Sequence, residues 1–144
     1  MGFLATDLNV ISSTGPTTNI PVSKDVNVKA FQVARTDTSS TLKAVLPGDA
    51  SILNIIMTGS SNSDAGTTAT VTVVVSNDTG AISTGTAVNV KTSGTSTQIV
   101  QMPSLPNIQP VPLTGDLKIT ATYAETGTAS TTGGPYTFIV TYIR

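Results

Sequence analysis

Residues 46–76 read LPGDASILNIIMTGSSNSDAGTTATVTVVVS, and two runs inside them alternate with a period of two. In Ser51–Thr58 that period puts Ile52, Asn54 and Ile56 on one face and Leu53, Ile55 and Met57 on the other. In Thr68–Ser76 it sends Val71, Val73 and Val75 one way and Thr70, Thr72 and Val74 the other. Alternation of β-branched side chains suits a pleated surface, not a helix. The connection GSSNSDAG is too long for a two-residue turn, and its Gly59 and Gly66 can take backbone angles that a Cβ forbids. The two strands are expected to fold back on each other as a hairpin.

Outward from this stretch the pattern continues. Upstream, Asp25–Arg35 starts by alternating, with Val26, Val28 and Ala30 inward and Asn27 and Lys29 outward, and Phe31 and Val33 then break the phase, which suggests a bulge or burial on both faces. Thr36–Thr41 reads as a loop, Leu42–Leu46 as a short strand and Pro47-Gly48-Asp49 as a turn. Downstream, Asn77-Asp78-Thr79-Gly80 is a turn, Ala81–Gly85 a loop, and Thr86–Lys91 and Thr97–Met102 are short strands. PSLPNIQPVP, residues 103–112, holds four prolines and reads as an extended connection between sheets.

Asp116–Ala124 carries Leu117, Ile119, Ala121 and Tyr123 on one side, and residues 125–134 form a polar loop. Tyr136–Ile143 is apolar on both faces, with Tyr136, Phe138, Val140 and Tyr142 on one and Ile139 and Ile143 on the other, as in the middle of a sheet. About eight short strands with regular turn signals and no sustained helical period predict a single all-β antiparallel sandwich, of jelly-roll or Greek-key type. Residues 25–144 form that domain. Residues 1–24, broken by Pro16 and Pro21, read either as a poorly ordered terminus or, in the sharper reading, as an extended N-terminal arm lying on a neighbouring subunit. Its apolar anchors are Phe3, Leu4, Leu8, Val10 and Ile11, of which Phe3, Leu4, Leu8 and Ile11 are the candidate partner-contact residues.

Composition narrows the function. Of 144 residues, 42 are Thr or Ser and only 10% are charged, while 38% are hydrophobic and periodic, which argues for a packed fold with wet strand faces rather than disorder. The net charge of −1 and the dispersal of seven Lys and Arg argue against nucleic-acid binding. No apolar run approaches the ~20 residues of a membrane-spanning helix. The opening MGFLATDLNV lacks the basic and apolar regions of a secretion signal.

Chemistry is excluded mostly by missing residue types. His and Cys are absent and Glu125 is the single Glu, so general acid–base work, an activated hydroxyl nucleophile and thiolate chemistry all lack their parts. No enzyme activity, cofactor or metal is expected. Asp64 in SNSDAG and Asp78 in SNDTG are the candidates for a hard-cation loop, but each loop offers one carboxylate where a tight site wants more. Asn62, Asp64, Asn77 and Asp78 are expected instead to cap turns. With no Trp for stacking, a sugar-binding face is weakly supported.

Four segments carry a resemblance: LPGDASILNIIMTG, then SDAGTTATVTVVVS, then NVKTSG, and finally LKITATYAETGTASTTGGPYTFIVTYIR. Their order resembles the small all-β virion structural proteins of tailed bacteriophages, of the head-decoration (cement) type, over residues 42–144. The resemblance implies a protein of the virion's capsid surface that binds the outside of the expanded head shell. It would act as a homotrimer, with the major capsid protein or other virion proteins as partners. An alternative within the same resemblance is another virion component: a head-fibre base, a neck or tail protein, or a host-attachment module. That module would bind through the loop tips 60–66 and 126–134.

Overall fold

The computed structural model describes residues 25–103 and 115–144. Nine strands run in this order: β1 Val26–Val33, β2 Thr41–Leu46, β3 Ser51–Gly59, β4 Thr68–Asn77, β5 Gly80–Thr84, β6 Val88–Asn89, β7 Gln98–Ile99, β8 Leu117–Thr126 and β9 Tyr136–Ile143. There is no helix among the described residues. One sheet has the order β1-β9-β3-β7, the other β2-β8-β4-β5 with β6 also on β4, and every pairing is antiparallel.

The pairings nest: β1 with β9, β2 with β8, β3 with β7 and β4 with β5. That is one long antiparallel ribbon wound upon itself, its strands alternating between two packed sheets except at its closed end, where β4, β5 and β6 share one sheet; this is the jelly-roll arrangement. The same nesting corrects the expected hairpin of residues 46–76. β3 and β4 do not pair. β3 lies between β9 and β7, and β4 lies between β8 and the β5/β6 edge. The connection GSSNSDAG crosses from one sheet to the other, which explains its length.

Burial fixes which side of each strand faces the core. Val71, Val73 and Val75 of β4 are buried, as are Leu117, Ile119, Ala121 and Tyr123 of β8 and Tyr136, Phe138 and Val140 of β9. These strands keep the phases expected of them, and β9 sits mid-sheet between β1 and β3.

β1 has the opposite phase to the one expected. Its register with β9 runs unbroken from Val26↔Ile143 to Val33↔Tyr136, so no bulge intervenes. Phe31 and Val33 point inward, whereas Val26 and Val28 are 65% and 62% exposed. The larger apolar payload fixes the phase: Phe31 stacks on Phe138 directly across the ladder, centroids 5.3 Å apart.

The bulge is in β3 instead, where Leu53 and Asn54 occupy one step of β9, between Ile52↔Tyr142 and Asn54↔Thr141. It lets Ile52, Ile55 and Met57 all reach the core and turns Leu53 and Ile56 out. Ala81–Gly85, read as a loop, falls instead largely within strand β5, Gly80–Thr84. Gly80, at φ 137°, allows a tight return from Asn77, and the Asn77 side-chain oxygen accepts the Thr79 N–H at 2.9 Å.

Candidate functional site: an apolar sheet face and a stitched loop end

The two sheets present different outer surfaces. On the β2-β8-β4-β5 sheet the outward ladder pairs Thr68 with Thr126, Thr70 with Ala124, Thr72 with Thr122, Val74 with Thr120 and Ser76 with Lys118. Hydroxyls keep β4 and β8 wet there, while Leu42 and Val45 of the adjoining β2 are exposed beside Thr120 and Lys118. The β1-β9-β3-β7 sheet is unlike it. Ala30 lies opposite Ile139, Ile139 opposite Ile56, and Ile56 opposite Ile99, so one apolar row crosses all four strands.

Val26, Val28, Leu53 and Ile143 flank that row, with Leu53 at 52% and Ile99 at 62% exposure. Beside it a groove of about 360 Å³ is lined by Ile52, Leu53, Asn54, Ile99, Val100, Gln101 and Met102. None of these row, flank or groove residues is ionisable. Isolated exposed aliphatics are ordinary, but a contiguous row is the mark of a contact surface. The reversed phase of β1 hid this face from the sequence.

At one end of the sandwich, the loops 60–67 and 127–135, placed apart in the sequence as tips, are drawn together. Gly66 N–H donates to Thr128 O at 2.8 Å, Thr67 N–H to Thr126 O at 2.9 Å and Gly134 N–H to Ser61 O at 3.3 Å. Asp64 bridges the loops with its carboxylate, accepting from the N–H groups of Thr131 and Thr132 at 2.8 Å each and from the Thr131 hydroxyl at 2.7 Å. The Thr131 hydroxyl first, and the Thr132 N–H next, hold that carboxyl at about 2.

Beneath lies a polar knot. Tyr123 donates its phenolic proton to Glu125 at 2.7 Å, so the Ser63 hydroxyl, 2.7 Å away, donates to Tyr123. Ser130 N–H donates to Glu125 at 3.1 Å, and Arg35 donates to the Ser130 carbonyl at 2.6 Å. Contacts from Ser130 and then Tyr123 lower the Glu125 carboxyl, while burial pushes the Tyr123 phenol up. Sequence reasoning missed this knot. Its one available signal was the single Glu placed two residues after a core-facing Tyr.

The candidate cation loops are used otherwise. Asp64 ties two loops, Asp78 pairs with Lys118 at 2.8 Å, and Asn62 accepts the Thr95 N–H at 3.1 Å. Among the described residues no three acidic side chains gather in one place. The contact residues Phe3, Leu4, Leu8 and Ile11, like Val10 and the whole of 1–24, lie outside the described residues.

No family model matches the chain, and no curated protein matches its sequence. A solved chain of the cyanophage Pam1 capsid asymmetric unit superposes on it with a TM-score of 0.52 and 17% identity, covering 91% of this chain and 98% of that one. What the two share at that identity is the fold: a small all-β sandwich, matched almost end to end.

Proposed function

We propose that this chain is a non-enzymatic structural protein of a phage particle, a capsid decoration (cement) protein that binds the expanded head shell from outside and stabilises it. The observation that carries the proposal is the end-to-end likeness to a chain of a phage capsid asymmetric unit, whose coverage makes that chain close to this one in length. The match runs over 91% of this chain and 98% of that one.

The chemistry fits a particle protein. With one Glu, no His and no Cys, the chain presents few groups that titrate or oxidise outside a cell. An apolar sheet face and a 24-residue apolar-punctuated N-terminal segment supply surfaces for neighbours. The residues Phe3, Leu4, Leu8 and Ile11 are the proposed anchors, and a homotrimer is the proposed unit. A protein that binds only the expanded lattice stabilises that lattice by mass action. Several copies tied together add their weak contacts through effective concentration.

The stitched loop end favours a second assignment, a host-attachment or tail component. That role predicts binding to host cells or glycans that is lost when loop residues at 60–66 or 126–134 are replaced. For the cement role the test is resistance of filled heads, prepared without this protein, to heat or osmotic shock. Adding the purified protein should preserve their DNA content. Equal DNA loss with and without it would overturn the cement role.

A further inference from the structure

The outward row Ala30–Ile139–Ile56–Ile99 and its flanks Val26, Val28 and Leu53 form an uncharged face left open by the described residues. We infer that this face receives the N-terminal segment, residues 1–24, of a second copy of the same chain. The inference rests on the proposed arm and deepens it by naming the surface to which the arm binds.

Size is the first argument. Three strands about 4.8 Å apart and roughly 26 Å long, with the two-residue β7 beside them, give a face of about 400 Å², in which Thr137, Thr141 and Asn54 stand among the aliphatics. That lies in the range of the largest exposed patch on a typical monomer, which is often a functional surface. Yet it falls short of the ~800 Å² per partner of a stable rigid interface. Two sheets docked flat against each other would therefore bury too little. A segment that leaves one body and lies across another adds its own surface to both sides of the contact.

Chemistry is the second argument. Residues 1–24 hold Phe3, Leu4, Leu8, Val10, Ile11, Ile20 and Val22, and their only charged side chains are Asp7 and Lys24. A nearly uncharged, aliphatic segment matches an uncharged, aliphatic face. The outer face of the opposite sheet mixes the hydroxyls of β4 and β8 and the charged Lys118 with the exposed Leu42 and Val45 of β2, a poorer match.

Position and reach are the third. The segment joins the body at Asp25, whose N–H donates to Arg144 O at 3.1 Å and whose carbonyl accepts from Arg144 N–H at 3.2 Å. The chain is thereby fixed in the plane of this same sheet, at its β1 edge. Pro16 and Pro21 disfavour both helix and ladder pairing in the segment that carries Phe3–Ile11. Twenty-four extended residues span up to about 80 Å, three times the length of the face. That suffices to reach a neighbour.

The absence of cysteine makes the test direct. Full-length chains carrying Leu4→Cys, Leu8→Cys or Ile11→Cys are each mixed with a full-length chain carrying Ile99→Cys and mildly oxidised. The control partner carries Thr72→Cys on the hydroxyl face. Disulfide-linked heterodimers through Ile99→Cys, several-fold above the Thr72→Cys control, are the expected result. Equal yields at the two faces would overturn the inference. So would an intrachain disulfide as the main product of the Leu8→Cys/Ile99→Cys double variant, since the segment would then cover its own sheet. In parallel, Ile56→Lys with Ile99→Lys should reduce the mass in solution to that of a monomer, and an unchanged oligomer would contradict the inference. These experiments use no phage heads, so a failure of the cement role and a failure of this inference are separately visible.

Discussion

The rings of Tyr123 and Tyr136 stack with centroids 6.4 Å apart and planes 8° from parallel, yet their hydroxyls fare differently. That of Tyr123 meets Ser63, Glu125 and Ser130. That of Tyr136 is buried with no hydrogen-bond partner among the described residues, and burial pushes its phenol up to about 12. An unpaired buried hydroxyl costs about 1–3 kcal/mol. Tyr136→Phe is therefore expected to leave Tm unchanged or raise it, while Tyr123→Phe destabilises by about 1–3 kcal/mol. Denaturant melts of the two variants check the contrast, and equal losses would contradict it.

Acid should act through the loop end. The folded carboxyl of Asp64 sits at about 2, below its ordinary 3.8, and Glu125 is also lowered. A depressed carboxylate contributes stability that is fully present above its unfolded pKa and is lost as pH falls through the folded one. For Asp64 the window is pH 4 down to 2. Asp64→Asn should lower Tm at pH 7 and flatten the decline of Tm across that window. A decline as steep as in the unsubstituted protein would place the acid sensitivity elsewhere.

Gly59 ends β3 where the loops converge. A Cβ there would lie 2.4 Å from the Gly94 carbonyl and 2.6 Å from the Tyr136 ring. One neighbour is backbone and the other a fully buried ring, so neither yields easily. Gly59→Ala should cost about 1–3 kcal/mol, as overpacking does. Gly80→Ala serves as comparison, because its added Cβ meets open space and only the positive φ opposes it. If Gly59→Ala proves the milder change, the close approach is not what holds that residue.

The N-terminal segment should matter to assembly and not to folding. The sandwich core is built from residues 31–140. Deleting residues 1–24 is thus expected to keep a cooperative melt while lowering the mass in solution and weakening attachment to heads. A truncated chain that retains both mass and attachment would remove the segment from the interface.

Much of the fold was legible in the sequence. Wherever one face of a strand was plainly more apolar, as in Val71–Val75 or Leu117–Tyr123, period-two alternation gave the right side. It failed where both phases offered aliphatics. In β1, Val26 and Val28 competed with Phe31 and Val33, and only the partner strand, by placing Phe138 opposite Phe31, settled the choice. In β3 a bulge let Ile52 and Ile55 both turn inward, which no fixed period encodes. The hairpin assigned to residues 46–76 failed for a topological reason: sequence neighbours here lie in different sheets, and pairing over long separations is invisible to local pattern. The apolar face was lost with the phase of β1. The loop knot was lost because its members, Ser63, Tyr123, Glu125 and Ser130, meet only after the ribbon has wound.

The cement role is tested most directly by co-sedimentation of the purified protein with expanded heads prepared without it, using unexpanded procapsids as the comparison. Saturable binding to expanded heads alone, at a copy number fixed by the lattice, is the predicted result. Absence of binding to expanded heads, or equal binding to both particles, would contradict it.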